Sequence, residues 1–216
     1  MSAAVADELG ESCAALGWQE VVPAGGARMG ALAVLPTVTT HSRTSLFAGS
    51  LTTGTAADEK RLFASEFGGT VFHKDDLRAA AGEALPPVVR QAIAGTTSLV
   101  AVVLNTVDDT LAKHDPDGTA WTADAVQHLP ALLDLADAAG RVVVLVSDHG
   151  HVVERGSTSR GVSGADNRWR SPDTGQPEAD EVLLNGRRVL EGEGSIVAAA
   201  VEGIRYARKS AGYHGG

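Results

Sequence analysis

Three runs of apolar residues punctuate the chain, at 31–38 (ALAVLPTV), 98–105 (SLVAVVLN) and 141–147 (RVVVLVS). Each leads directly into a polar segment. Short continuous runs rich in β-branched residues predict strands buried on both faces, with Pro36 breaking the end of the first. Between them the period changes to that of helices. Val5, Leu9, Cys13 and Leu16 form a stripe over 4–16 that Gly17 would stop. Ser42 is a candidate cap for a helix running toward Gly49. Residues 56–67 predict a helix with Asp58 and Glu59 in its favourable first turn, and VVRQAIA predicts another after Pro86–Pro87. Residues 121–140 predict a longer one, kinked at Pro130 and stopped by Gly140. Strands alternating with helices imply an α/β fold with a mainly parallel central sheet flanked by helices, in which chemistry gathers where strands end. Residues 150–180, without periodicity, predict a long surface loop. Asn185–Gly186 predicts the turn of a hairpin over 182–190, and 195–208 reads equally as strand or helix.

Composition narrows the class. At 216 residues and 44% hydrophobic content the chain suits one domain with a full core. A net charge of −9 gives no global field that would recruit nucleic acid, although a local basic patch stays open. The one cysteine, Cys13, rules out an internal disulfide framework and fits a reducing cytoplasm. No run reaches the length of a membrane span, and the N-terminus has no signal-peptide pattern.

The candidate chemistry lies where the apolar runs end. Thr39 stands just past the first run, and its hydroxyl is a candidate nucleophile if a divalent cation favours the alkoxide. Four residues on, Arg43 offers a fork for two phosphoryl oxygens. The same segment also reads as a Thr-rich turn with a surface arginine. Asp148 and His149 follow the third run and can reach one cation, Gly150 bends the chain away, and His151 is a further imidazole, behind the ligands or facing substrate. After the second run come Asn105, Asp108, Asp109 and His114, of which one carboxylate needs to be a ligand; the alternative is a solvated acidic turn. His214 sits among glycines in GYHGG. Gly49 and Gly54 have phosphate-loop spacing, but Thr55 and Ala56 stand where Lys and Ser or Thr are required. No G-x-G-x-x-G follows a strand, and no G-x-S-x-G occurs.

Taken together, PTVTTHSR, NTVDD, SDHGH and YHGG resemble the alkaline phosphatase superfamily, and more closely the PglZ family of bacterial BREX or Pgl phage-defence systems. The resemblance implies a single core over 1–216, truncated at both ends, that acts as a phosphoesterase or phosphodiesterase with two divalent cations, zinc or manganese. It places the nucleophile on Thr39, which also touches a cation, and the phosphoryl clamp on Arg43. It carries the metal ligands to Asp108, Asp148, His149 and His214. A phosphate ester or nucleotide would be the substrate, and other phage-defence proteins the partners. The pattern departs in two places. No aspartate follows a strand before Thr39, and Ala112 stands where the phosphodiesterase branch has a histidine, with His114 as substitute. A non-catalytic nucleotide- or partner-binding module is the other function the departures allow. A sulfatase is disfavoured because neither Cys nor Ser stands at position 39.

Overall fold

The structure is a computed structural model that describes residues 3–22, 26, 28, 30–113 and 118–214. In the first half it has helices α1 (Ala3–Ala15), α2 (Thr39–Ala48) and α3 (Ala56–Phe67), strand β1 (Thr70–Phe72), helix α4 (Pro87–Ala94), strand β2 (Val100–Val102) and helices α5 (Thr106–Lys113) and α6 (Leu129–Ala138). The second half is strands: β3 (Val152–Val153), β4 (Thr158–Ser159), β5 (Trp169–Arg170), β6 (Glu181–Asn185), β7 (Ser195–Ala199), β8 (Ile204–Arg205) and β9 (Gly212–Tyr213).

Apolar spacing explains the helical half. Val5, Leu9 and Cys13 lie one turn apart on α1 and are buried against Trp121, Leu129 and Leu133. Leu16 falls past the helix end and is exposed. Thr55 and Asp58 form a reciprocal capping box at the start of α3. Phe63 of α3 meets Phe47 of α2 edge to face, with ring centroids 5.4 Å apart. Two starts differ from the sequence reading. The Val38 carbonyl accepts from the amides of His41 and Ser42, so α2 begins at Thr39 and Ser42 is an interior, buried residue. The helix at 121–140 begins only at Leu129. Pro130 opens it instead of kinking it, since a first-turn proline removes an amide that has no intrahelical partner.

The fold is mixed α/β, but the described residues form four small sheets in place of a mainly parallel central one. β1 and β2 pair in parallel, Thr70 opposite Val100. Of the 31–38 run only Leu35 bridges, to Val189, while Leu32 is 81% exposed. Residues 142–146 join no strand and make no backbone hydrogen bond to the described residues. Val142 and Val144 are 90% and 79% exposed. A cavity of about 810 Å³ opens between this segment and residues 98–105, floored by Phe63, Leu129 and Leu132. The apolar pattern correctly marks extended chain, yet burial also needs pairing with another strand, and 142–146 pair with none among the described residues.

The region 150–180 is not a plain loop. It contains β3, β4 and β5, pinned by buried arginines: Arg168 donates to the carbonyls of Ile204 and Val201, and Arg170 pairs with buried Glu181 at 2.6 Å. The 182–190 hairpin is replaced by a wider one, in which β6 pairs antiparallel with β7, Asn185 opposite Ser195. Gly186 donates to Gly194 across that turn, and Val189 is diverted to Leu35. The ambiguous 195–208 stretch holds the two strands β7 and β8, joined by a turn, and no helix.

Candidate metal centre

Four chain segments deliver side chains to one place at the mouth of the cavity. Thr39 is the first residue of α2, so its hydroxyl lies where unpaired helix amides begin. Its Oγ1 stands 3.3 Å from His149 Nε2. Asp108 sits in the first turn of α5, just after β2. Asp148 and His149 follow the extended 141–147 segment, with Asp148 Oδ1 3.7 Å from His149 Nε2. The last two groups arrive through a strand pair. β3 and β9 are antiparallel with Val152 opposite Tyr213, which brings His151 and His214, the residues beside that pair, together. Ring centroids are 4.7 Å apart for His149–His214 and 5.5 Å for His151–His214.

A buried glutamate secures that strand pair. Tyr213 donates its hydroxyl to Glu154 at 2.7 Å, and the Glu154 amide donates to the Ala211 carbonyl. The Ser157 hydroxyl, helped by Tyr213 and the amides of 156 and 157, holds the Glu154 carboxyl down at about 2, against its burial.

The converging donors are poorly served by the protein itself. Asp108 Oδ1 lies 3.1 Å from His151 Nε2 and 3.9 Å from His149 Nε2. Asp108 Oδ1, both His151 nitrogens and His214 Nδ1 are buried without a hydrogen-bond partner among the described residues. Buried polar atoms are rarely left so, and several pointing together mark a place for a ligand. One ligand atom each from Asp108, His149 and His151 lies within 4.8 Å of the others. A tetrahedral cation with bonds of about 2.0–2.2 Å holds its donors about 3.3–3.6 Å apart, so the wider-spaced of these atoms would close in by about 1 Å to share one.

Protonation also suits a cation. The Gly150 carbonyl, 3.2 Å from His149 Nδ1, can only accept, so the proton sits on Nδ1 and the Nε2 lone pair faces Thr39 and the carboxylates. His151, the nearest imidazole, holds the Asp108 carboxyl below its usual range against the opposing effect of burial, with His149 and His214 adding to it. Burial, then His149 and His151, push His214 below the usual imidazole value, which keeps it unprotonated and able to ligate to lower pH.

Arg43, one turn beyond Thr39, also lines the cavity. Its Nε donates to both oxygens of Glu59, 3.1 Å each. Asp109 faces away to Lys74, 2.6 Å distant, and His114 lies outside the described residues. Sequence reasoning offered His151 only as an imidazole behind the ligands or facing substrate, not among the ligands, and missed Glu59. The available signal for Glu59 was its place four residues before Phe63, on the buried stripe of α3.

Residues 3–202 match the family model of the BREX system PglZ alkaline phosphatase-like domain. The chain belongs to the PglZ family. The match takes in the segments of this PglZ domain that carry Thr39, Arg43, Asp108, Asp148, His149 and His151, and ends before His214. No curated protein and no solved structure matches the chain. No helix among the described residues is long and apolar enough to cross a membrane.

Proposed function

We propose that this PglZ domain is a metal-dependent phosphoesterase with Thr39 as nucleophile, serving a phage-defence system in the cytoplasm beside other defence proteins. The observation that carries the reading is the approach of Thr39 Oγ1 to His149 Nε2 beside unpartnered Asp108 and His151 atoms. Asp108, His151 and His214 would hold one divalent cation, zinc or manganese, and Thr39, Asp148 and His149 the second. In this assignment His151 takes the place of the histidine absent at Ala112. The bound cations would favour the ionised hydroxyl of Thr39 and offset charge on the phosphoryl oxygens. Thr39 Oγ1 then forms a bond to phosphorus while the ester oxygen departs with its electron pair. Arg43 steadies the phosphoryl oxygens, and water later cleaves the phosphothreonine to restore the hydroxyl. The same reading takes the chain as a single alkaline-phosphatase-like core.

Hydrolysis of bis(p-nitrophenyl) phosphate by manganese-loaded protein tests this. Thr39→Ala is expected to lower turnover at least about 100-fold, the scale on which catalytic groups act. Equal turnover in the two proteins refutes Thr39. The second reading, a non-catalytic nucleotide- or partner-binding module, draws on the open apolar cavity beside the cluster. It becomes the better one if the protein binds neither manganese nor zinc in equilibrium dialysis.

A further inference from the structure

Glu59 has 1% of its side chain exposed and lies at the junction of three elements. From α2 it receives Arg43 Nε on both oxygens, and Thr44 Oγ1 at 3.3 Å on Oε1. After β1, His73 Nε2 donates to Oε2 at 2.6 Å, since a carboxylate without its proton only accepts. α3 itself supplies Glu59. A buried anion is costly unless paired and fully hydrogen-bonded, and these contacts meet both requirements.

The manner of pairing is informative. Arg43 meets Glu59 through Nε alone, which bridges both carboxylate oxygens, rather than through the two parallel N–H bonds from two nitrogens of a bidentate pair. The Nη groups make no hydrogen bond to the described residues, and Arg43 lines the cavity together with Thr39. Residues four apart on a helix share a face, so Thr39 and Arg43 address the same volume. A free arginine of this length samples many rotamers, and immobilising it on binding has an entropic cost. Glu59 removes that freedom beforehand.

We propose that Glu59 is a positioning residue for anion recognition: it grips Arg43 through Nε, with His73 and Thr44 fixing the carboxylate, so that the Nη face is already turned toward the place where Thr39 would meet a tetrahedral oxyanion. This deepens the phosphoesterase reading and rests on it. Because Glu59 offsets the charge of Arg43, the arginine contributes directed hydrogen bonds more than net attraction.

The test uses the full 216-residue chain and orthophosphate as the probe. In wild-type protein the Arg43 Nε–H is expected to give a resolved ¹⁵N–¹H resonance that barely moves as orthophosphate is added, while the Nη signals shift. Glu59→Gln and Glu59→Asp should abolish the sharp Nε signal and weaken orthophosphate binding by calorimetry about tenfold. Arg43→Lys should weaken it similarly, and Glu59→Gln should add little to Arg43→Lys, as groups acting as one unit are not additive. Manganese affinity should stay within about twofold throughout. Orthophosphate binding by Glu59→Gln equal to wild type, or an Arg43 Nε signal unchanged by that substitution, overturns the proposal. If a variant does not fold, the wild-type titration still decides: an Arg43 Nε–H that is broad when free and sharpens only with orthophosphate also overturns it. Orthophosphate binding unaffected by Arg43→Lys instead removes Arg43 from the phosphoesterase reading, whatever Glu59 does.

Discussion

The two sides of the cavity mouth satisfy their buried polar groups in opposite ways. On the α2–α3 side, Glu59 finds Arg43, Thr44 and His73 within the chain. On the opposite side Asp108, His151 and His214 bring donors together and leave them unanswered, next to the unpaired 142–146 segment. The Glu59 carboxylate is answered within the folded polypeptide, although His73 Nδ1 beside it has no partner among the described residues. The opposite side is complete only with something added. The first therefore contributes to stability in all conditions, whereas the second contributes through what it binds.

The largest effect expected from this contrast is on the α2–α3 side. Glu59→Ala strands the Arg43 guanidinium and the His73 imidazole, while Thr44 keeps the Gly54 carbonyl, and removing one partner of a buried pair costs about 3–5 kcal/mol. Urea unfolding of the metal-free protein reads this directly. A loss within about 1 kcal/mol would erase the distinction between the two sides.

The unanswered side should respond to metal instead. Manganese or zinc at about 100 times its dissociation constant is expected to raise stability by about 2.7 kcal/mol, reversed by chelator. His151→Ala should abolish most of that gain while leaving the metal-free protein as stable as wild type or slightly more so, because it removes two buried unpartnered nitrogens. If His151→Ala instead destabilises the metal-free protein as severely as Glu59→Ala, the imidazole is a packing residue and the contrast fails.

The smallest change is expected on the apolar wall. Val144→Thr should shift stability by no more than about 0.5 kcal/mol, as for other exposed positions, where a valine in a buried central strand would cost several times more. A large loss in thermal melting would show that the segment is covered in solution.

How much of this was legible depended on whether local chemistry or a distant neighbour decided the outcome. The ends of the apolar runs marked the segments that meet, because a run of Val, Leu and Ile followed by Thr, Asp or His states a change of environment in a few residues. The burial of 141–147 was not legible: its side chains specify extended apolar chain, but pairing is fixed by another segment. That His151 would sit against Asp108 was not legible for the same reason. Its position follows from the β3–β9 pairing across about sixty residues, which no spacing near SDHGH encodes. Glu59 looked like an ordinary first-turn acid favoured by the helix dipole, and only the Phe63 stripe hinted that it points inward. The start of α6 shows a rule applied to the wrong place, since Pro130 was read as interior when it was initial.

The ladder joining β3 to β9 is only two residue pairs long, far shorter than an ordinary strand pairing. Short edges of this kind are where proteins open locally on their way to nothing larger. Each such opening would carry His151 and His214 away from Asp108 in the same instant. The residence time of a cation held there is thus set by how often a two-rung ladder breathes, and its exchange kinetics would report the fraying of a strand more than the strength of any metal–nitrogen bond.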